Sequence, residues 1–244
     1  MTAVVCVPGP VRAAEALVAV SANFAAVMKQ LRPIFESRGE HALKLSIGST
    51  GTLYAQIRNG APFDVLLAAD QARPAKLEAA GMTVRGSRFT YALGRLSGWS
   101  RDPDLIRGRG PAALTDPEVD RIAIANPDLA PYGVAARQTL RHHGLWSAVA
   151  DKIVMGQNVG QAFSMVATGN AAVGIVARSY VLSPRNDRAG SRWDVPAAAH
   201  DPIRQDAVRL TAGADNAAAA AFLAFLRTPE AKAIIRDFGY GIDE

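Results

Sequence analysis

A single cysteine, Cys6, means that the chain can close no disulfide within itself and can build no multi-cysteine metal site. Long apolar runs are missing as well. The longest uninterrupted one, residues 217–226, is about half of the roughly 20 residues that a membrane-spanning helix requires, so a soluble mature protein is expected. Aromatic residues make up only 7% of the chain and are not interleaved with basic ones, and no recognition-helix signature occurs. The net charge of +5 is spread out, and its densest stretch, 101–109, is interrupted by Asp102 and Asp104. Such a balance bears on association and not on fold, and nucleic acid is not expected as a partner.

Motifs of catalysis are also lacking. The histidines are His41, His142, His143 and His200, and they form no HExxH or comparable metal-ligand spacing. No GxGxxG, P-loop or G-x-S-x-G elbow is present, and residues 48–51, GSTG, do not make one. His142 and His143 are adjacent and so point to different faces of an expected helix. They fall in its last turn, where the dipole favours a positive group, so they are read as structural. No acid, base and nucleophile set can be assembled, so the chain is read as a non-enzyme with no metal ligands and no cofactor.

What is present is an ordinary globular balance, 49% hydrophobic and 20% charged over 244 residues, enough for two lobes of about 100 residues each. A short buried-strand pattern, a polar turn and an amphipathic helix recur in that order. Residues 16–20 lead through Ser21-Ala22-Asn23 into a helix that ends before Gly39. Residues 42–47 lead through 48–51 into 52–58, and 65–68 lead past Asp70 to a helix stopped at Gly81. The grammar resumes with 122–125 and a helix over 132–143, with 153–155 and a helix over 159–168, and with strand 173–176. It predicts an α/β protein of two lobes, each a mainly parallel sheet with helices on both faces.

Two long strand-like segments, 89–99 and 206–210, have no helix of their own and read as paired crossings between the lobes. The expected division is therefore 15–93 with 206–244 as one lobe and 94–205 as the other. Residues 1–14 read as the remnant of a signal peptide, with Ala13 and Ala14 suiting a small-residue cleavage site. The chain closes on two helices, 216–227 and one opened by Thr228, Pro229 and Glu230.

Four helix-opening turns carry the chemistry: Ser21-Ala22-Asn23, Ser49-Thr50-Gly51, Pro131-Tyr132-Gly133 and Asn158-Val159-Gly160. Each offers free backbone N–H groups at the positive end of a helix dipole, which suits an anion without any lysine or arginine. Any one of them alone is explained by helix capping. Four at the carboxyl ends of strands in two lobes point to one shared ligand.

The strings AVSANFAAVMKQL, SIGSTGTLYAQIRNGAPFDVLLAAD, GSRFTYALGRLSGWS, IANPDLAPYG, VGQAFSMVATGNAAVGIVA and DPIRQDAV closely resemble the periplasmic molybdate-binding proteins of ABC transporters, from about Glu15 to Tyr240. The resemblance implies a two-lobed periplasmic binding-protein fold that closes on its ligand. It implies molybdate or tungstate as that ligand, a membrane permease as partner, a periplasmic location and a monomer. Carried over residue by residue, the binding positions are Ser21, Ala22, Asn23, Ser49, Thr50, and the backbone N–H groups of Tyr132 and Val159. Relatives differ at Ser21 and Ala22, so the donor side chain of that turn stays open. A tyrosine that some relatives use is Ala177 here. The alternatives are another small oxyanion, sulfate or a phosphonate, and an enzyme on a two-lobed α/β fold.

Overall fold

The computed structural model describes residues 14–39, 41–184, 186 and 190–243; the expected signal remnant, Cys6 included, lies outside them apart from Ala14. The strands in chain order are β1 (Glu15–Ser21), β2 (Ala42–Gly48), β3 (Val65–Leu67), β4 (Phe89–Gly94), β5 (Leu96–Ser100), β6 (Ile122–Ala125), β7 (Ile153–Gly156), β8 (Val173–Ala177), β9 (Ser191–Asp194) and β10 (Ile203–Arg209). The α-helices are α1 (Ala25–Glu36), α2 (Thr50–Arg58), α3 (Ala72–Ala79), α4 (Pro131–His142), α5 (Trp146–Val149), α6 (Val159–Ala167), α7 (Arg178–Val181), α8 (Ala217–Leu226) and α9 (Pro229–Asp237). None of them, among the described residues, is long and apolar enough to cross a membrane.

The strands form two five-stranded sheets, ordered β2-β1-β3-β10-β4 and β7-β6-β8-β5-β9. In each, the three strands of the strand-turn-helix units are parallel, a fourth, β10 or β5, runs against them, and the outermost, β4 or β9, pairs antiparallel with that fourth strand. The sheets are thus mixed, because one strand without its own helix in each, β10 or β5, returns against the parallel set. The expected single crossing over 89–99 is broken at Arg95: β4 pairs in the first sheet and β5 in the second. The other crossing strand begins at Ile203, earlier than the pattern indicated, and stays within the first sheet as β10. The edge strand β9 and the short helices α5 and α7 have too few residues to show a period.

Side chains that alternate along a strand face opposite sides of a sheet, and the first sheet uses both. Val18, Val20, Val65 and Leu67 pack under α1, α8 and α9 with Phe24, Met28, Phe222 and Ile235. Ala19 and Leu66 pack on the other face with Leu53, Ile57 and Leu77 from α2 and α3. Helix α8 has its first N–H groups satisfied by the Asn216 side chain, and α9 by Thr228 with Pro229 at its first position.

The second sheet's core holds Ile122, Ile124, Val173 and Ile175 with Tyr132, Leu140 and Val166. Ala22 and Ala69, at the ends of β1 and β3, belong to this same cluster, so the two halves are packed against each other. Both sheets deliver the carboxyl ends of their parallel strands, and the helix starts that follow them, toward that junction.

Candidate functional site

All seven candidate residues are buried, none more than 4% exposed. Ser21 ends β1 and precedes the 3-10 turn Ala22–Phe24, and its side chain makes no capping bond. Ser49 sits at the N-cap of α2 and accepts from the Thr52 N–H at 3.2 Å, with the Thr52 hydroxyl at 2.7 Å. Thr50 opens α2, Tyr132 follows Pro131 in the first turn of α4, and Val159 opens α6 behind the capping Asn158. The N–H groups of Thr50, Tyr132 and Val159 have no carbonyl four residues back in their helices, so they are free to serve another acceptor.

The four turns meet in pairs across the two sheets. The Gly51 N–H donates to the Leu129 carbonyl at 2.9 Å, joining the start of α2 to the loop before α4. A Cβ on Gly51 would stand 2.7 Å from that carbonyl oxygen, so only glycine allows the approach. Helix α6 lies against the Ala22–Phe24 turn. From the second half, the Tyr180 hydroxyl donates to the Ala22 carbonyl at 2.7 Å and the Ser179 hydroxyl to the Asn23 carbonyl at 2.8 Å.

The side chains form ordered chains of donors. The Ala69 N–H donates to the Thr50 hydroxyl at 2.9 Å, and Thr50 donates to Ser21 Oγ at 3.0 Å. Thr50 has one proton and has given it away, so the unspent proton of this chain is on Ser21. The sequence treated Thr50 and the 21–23 turn alike; the geometry distinguishes them. Asn23 donates from Nδ2 to Gln205 Oε1 at 2.7 Å and to the Tyr240 hydroxyl at 3.0 Å, and its own carbonyl accepts from Tyr240 at 2.7 Å.

Residues missed in the sequence are Tyr91, Ser179, Tyr180, Gln205 and Tyr240. Of these, only Tyr180 had a signal: it lies three positions beyond Ala177, where some relatives have their tyrosine. It stacks on Phe163 at 5.0 Å between ring centroids, and Phe163 stacks on Trp99 at 4.8 Å. Burial holds the hydroxyls of Tyr91, Tyr132 and Tyr180 far above their usual range and raises Tyr240 to about 12. All four are therefore neutral donors near neutral pH.

Charge is kept out of this junction. None of the seven residues is ionisable except by its phenol, and Arg73, at the edge, is paired with Asp70. A crevice of about 330 Å³ beside the site is lined by Asp70, Arg73, Gln138, Asp201 and Arg204. Its charged and polar groups are paired, Gln138 with Asp201 at 2.6 Å and Arg204 with Asp243 outside the crevice. No cluster of three or more metal-ligating side chains exists among the described residues. His142 and His143 end α4, and His143 packs edge-on against Trp193, consistent with a structural role.

A model of the bacterial extracellular solute-binding protein family matches residues 16–241. The molybdate-binding protein ModA of Azotobacter vinelandii is 48% identical over 231 residues, 95% of this chain and 91% of that protein. ModA of Rhodobacter capsulatus is 44% identical over 231 residues, 95% of this chain and 90% of that protein. The solved structure of the A. vinelandii periplasmic molybdate-binding protein superposes with a TM-score of 0.89 at 39% identity, covering 94% of this chain and all of that one. With the fold, the converging helix starts and these likenesses in agreement, the chain belongs to the bacterial extracellular solute-binding protein family, in the branch of the molybdate-binding proteins.

Proposed function

We propose that the protein binds a small tetrahedral oxyanion, molybdate or tungstate, at the buried junction of its two sheets and hands it to an ABC transporter permease in the periplasm. It acts as a monomer and performs no chemistry on the ligand. One observation supports this most: four helix starts from two sheets bring neutral donors together, and the carboxylate at the edge, Asp70, is paired with Arg73. A fully ionised dianion offers acceptors only, and each charge-assisted hydrogen bond to it contributes about 1.5–3 kcal/mol. Ser21 would donate its hydroxyl, backed by Thr50, and Ala22 and Asn23 the rest of that turn. Ser49 and Thr50 would act at the start of α2, and Tyr132 and Val159 through their N–H groups.

Because the donors come from both sheets, the ligand would favour the closed arrangement by differential contact alone. The hinge would run through Arg95 and through the chain just before Ile203, which sets the lobes at about 15–94 with 203–244 and 96–202. The names borne by the relatives support molybdate over other anions. Calorimetric titration with molybdate, tungstate and sulfate tests the reading: roughly one-to-one, tight binding of the first two and weak binding of sulfate is expected. Equal affinity for sulfate would move the assignment to a sulfate-type carrier, and no heat with any of the three would refute it.

A further inference from the structure

Gln205 is fully buried on β10, at the bulge between Gln205 and Asp206. Its amide is held at both ends. Oε1 accepts from Asn23 Nδ2 at 2.7 Å and from the Tyr91 hydroxyl at 3.1 Å, while Nε2 donates to the Tyr132 hydroxyl at 3.3 Å. Tyr132 stands on α4, over the second sheet, and Gln205 and Asn23 belong to the first, so one side chain ties the two halves together. The space for it is made by Gly94, where a Cβ would stand 2.5 Å from Tyr132 Oη and 2.9 Å from Gln205 Nε2. In this arrangement Asn23 Oδ1 is buried and has no donor. A buried acceptor without a partner is uncommon, and beside an anion it has the wrong sign.

We propose that Gln205 is a positioning residue that, held from the second half by the Tyr132 hydroxyl, holds the Asn23 amide in place so that Asn23 presents a donor to the bound oxyanion. The proposal rests on the oxyanion reading above. The last torsion of an asparagine or glutamine is close to two-fold, so each amide can turn over in place. With both turned, Gln205 Nε2 donates to Asn23 Oδ1 and to Tyr91, whose own proton goes to the Ala68 carbonyl, 3.2 Å away. Gln205 Oε1 then accepts the Tyr132 proton. Tyr240 shares its proton between the two oxygens of Asn23, and the Ser179 hydroxyl continues to serve the Asn23 main-chain carbonyl. Asn23 Nδ2 now occupies the place of the unpartnered oxygen, with its protons available. Opening the halves removes Tyr132 from Gln205 and leaves that end of the amide unheld.

The test uses molybdate as the probe, on the full protein. Gln205→Met removes the link without adding charge and is expected to weaken molybdate binding roughly tenfold or more, and Gln205→Glu, which can only accept, by about 100-fold. Tyr132→Phe keeps the backbone N–H and removes the hydroxyl; combined with Gln205→Met, it should add little to the loss of the single variants. The side-chain amide signals of Asn23, identified by their disappearance in Asn23→Ala, should shift on molybdate addition in the wild type and stay unmoved in Gln205→Met. A Gln205→Met protein that binds like the wild type, or fully additive losses in the double variant, overturns the role of Gln205 and leaves the oxyanion reading standing. A wild-type protein that binds neither molybdate, tungstate nor sulfate overturns both.

Discussion

The chain from the Ala69 N–H through Thr50 to Ser21 predicts that two neighbouring hydroxyls fail in opposite ways when removed. Ser21→Ala deletes the end of the chain, the proton left for the ligand, and leaves Thr50 with its Ala69 bond. The expected loss is that of one charge-assisted hydrogen bond, about 1.5–3 kcal/mol, or roughly 10- to 150-fold in Kd, with a smaller loss of stability than in Thr50→Ala, since the freed Thr50 hydroxyl can rotate and a backbone N–H cannot. Thr50→Ala deletes the middle. It strands the Ala69 N–H, which is buried, and so should cost about 1–3 kcal/mol of folding free energy. For a domain of this size each kcal/mol is worth about 2–4 °C, so Tm should fall by roughly 2–12 °C. Calorimetric titration with molybdate and thermal unfolding without ligand separate the two effects. An unchanged Kd in Ser21→Ala, together with lost binding at unchanged Tm in Thr50→Ala, would mean that the proton runs the other way and Thr50 is the donor.

Val159 opens α6 after an extended Asn158, a setting that accepts proline, so Val159→Pro should keep the fold and weaken molybdate binding roughly tenfold or more, while Val159→Ala keeps the donor and the affinity. Titration of both variants checks this, and equal affinities would show that this N–H does not reach the ligand. Gly51→Ala pushes a methyl against the Leu129 carbonyl and should hold the two halves apart; small-angle scattering should show a larger radius of gyration with molybdate present than for the wild type. Tyr240 has its folded-state pKa raised by burial to about 12 from an ordinary 10. The stability it carries is complete below pH 10 and is lost as pH rises toward 12, so urea unfolding over that range should be less steep with pH in Tyr240→Phe.

The parallel strands and their helices were readable because each buried strand is a short apolar run followed by a polar turn, as in Val18 to Ser21 and Ile124 to Asn126. The helix-opening turns were readable for the same reason, since Ser49 and Asn158 announce a helix by the capping they perform. The break at Arg95 was not. Residues 89–99 are continuously strand-like, and what separates β4 from β5 is a change of partner sheet, which leaves no mark on the pattern. Gln205, Tyr240 and Ser179 reach Asn23 from 182, 217 and 156 positions away, so no local spacing could have gathered them. Nor could composition tell which of two hydroxyls holds the free proton, since that depends on the Ala69 N–H pointing at Thr50.

The place of β10 in the first sheet has a consequence for the order in which the chain can fold. β10 lies between β3 and β4, yet β3 ends at Leu67 and β10 starts only at Ile203. Until residues 203–209 arrive, β3 keeps an open edge and β4 has no neighbour in its sheet. Closing contacts over such a separation is slow, and an open edge is a template for pairing with another chain. A chain emerging from its N-terminus can lay down β1, β2 and β3 early and can complete the entire second sheet in between. The first sheet waits for nearly the last fifth of the polypeptide. Refolding at rising protein concentration should therefore lose yield to aggregation while the β3 edge is exposed, and the same late step that seals it brings Gln205 beneath Tyr132.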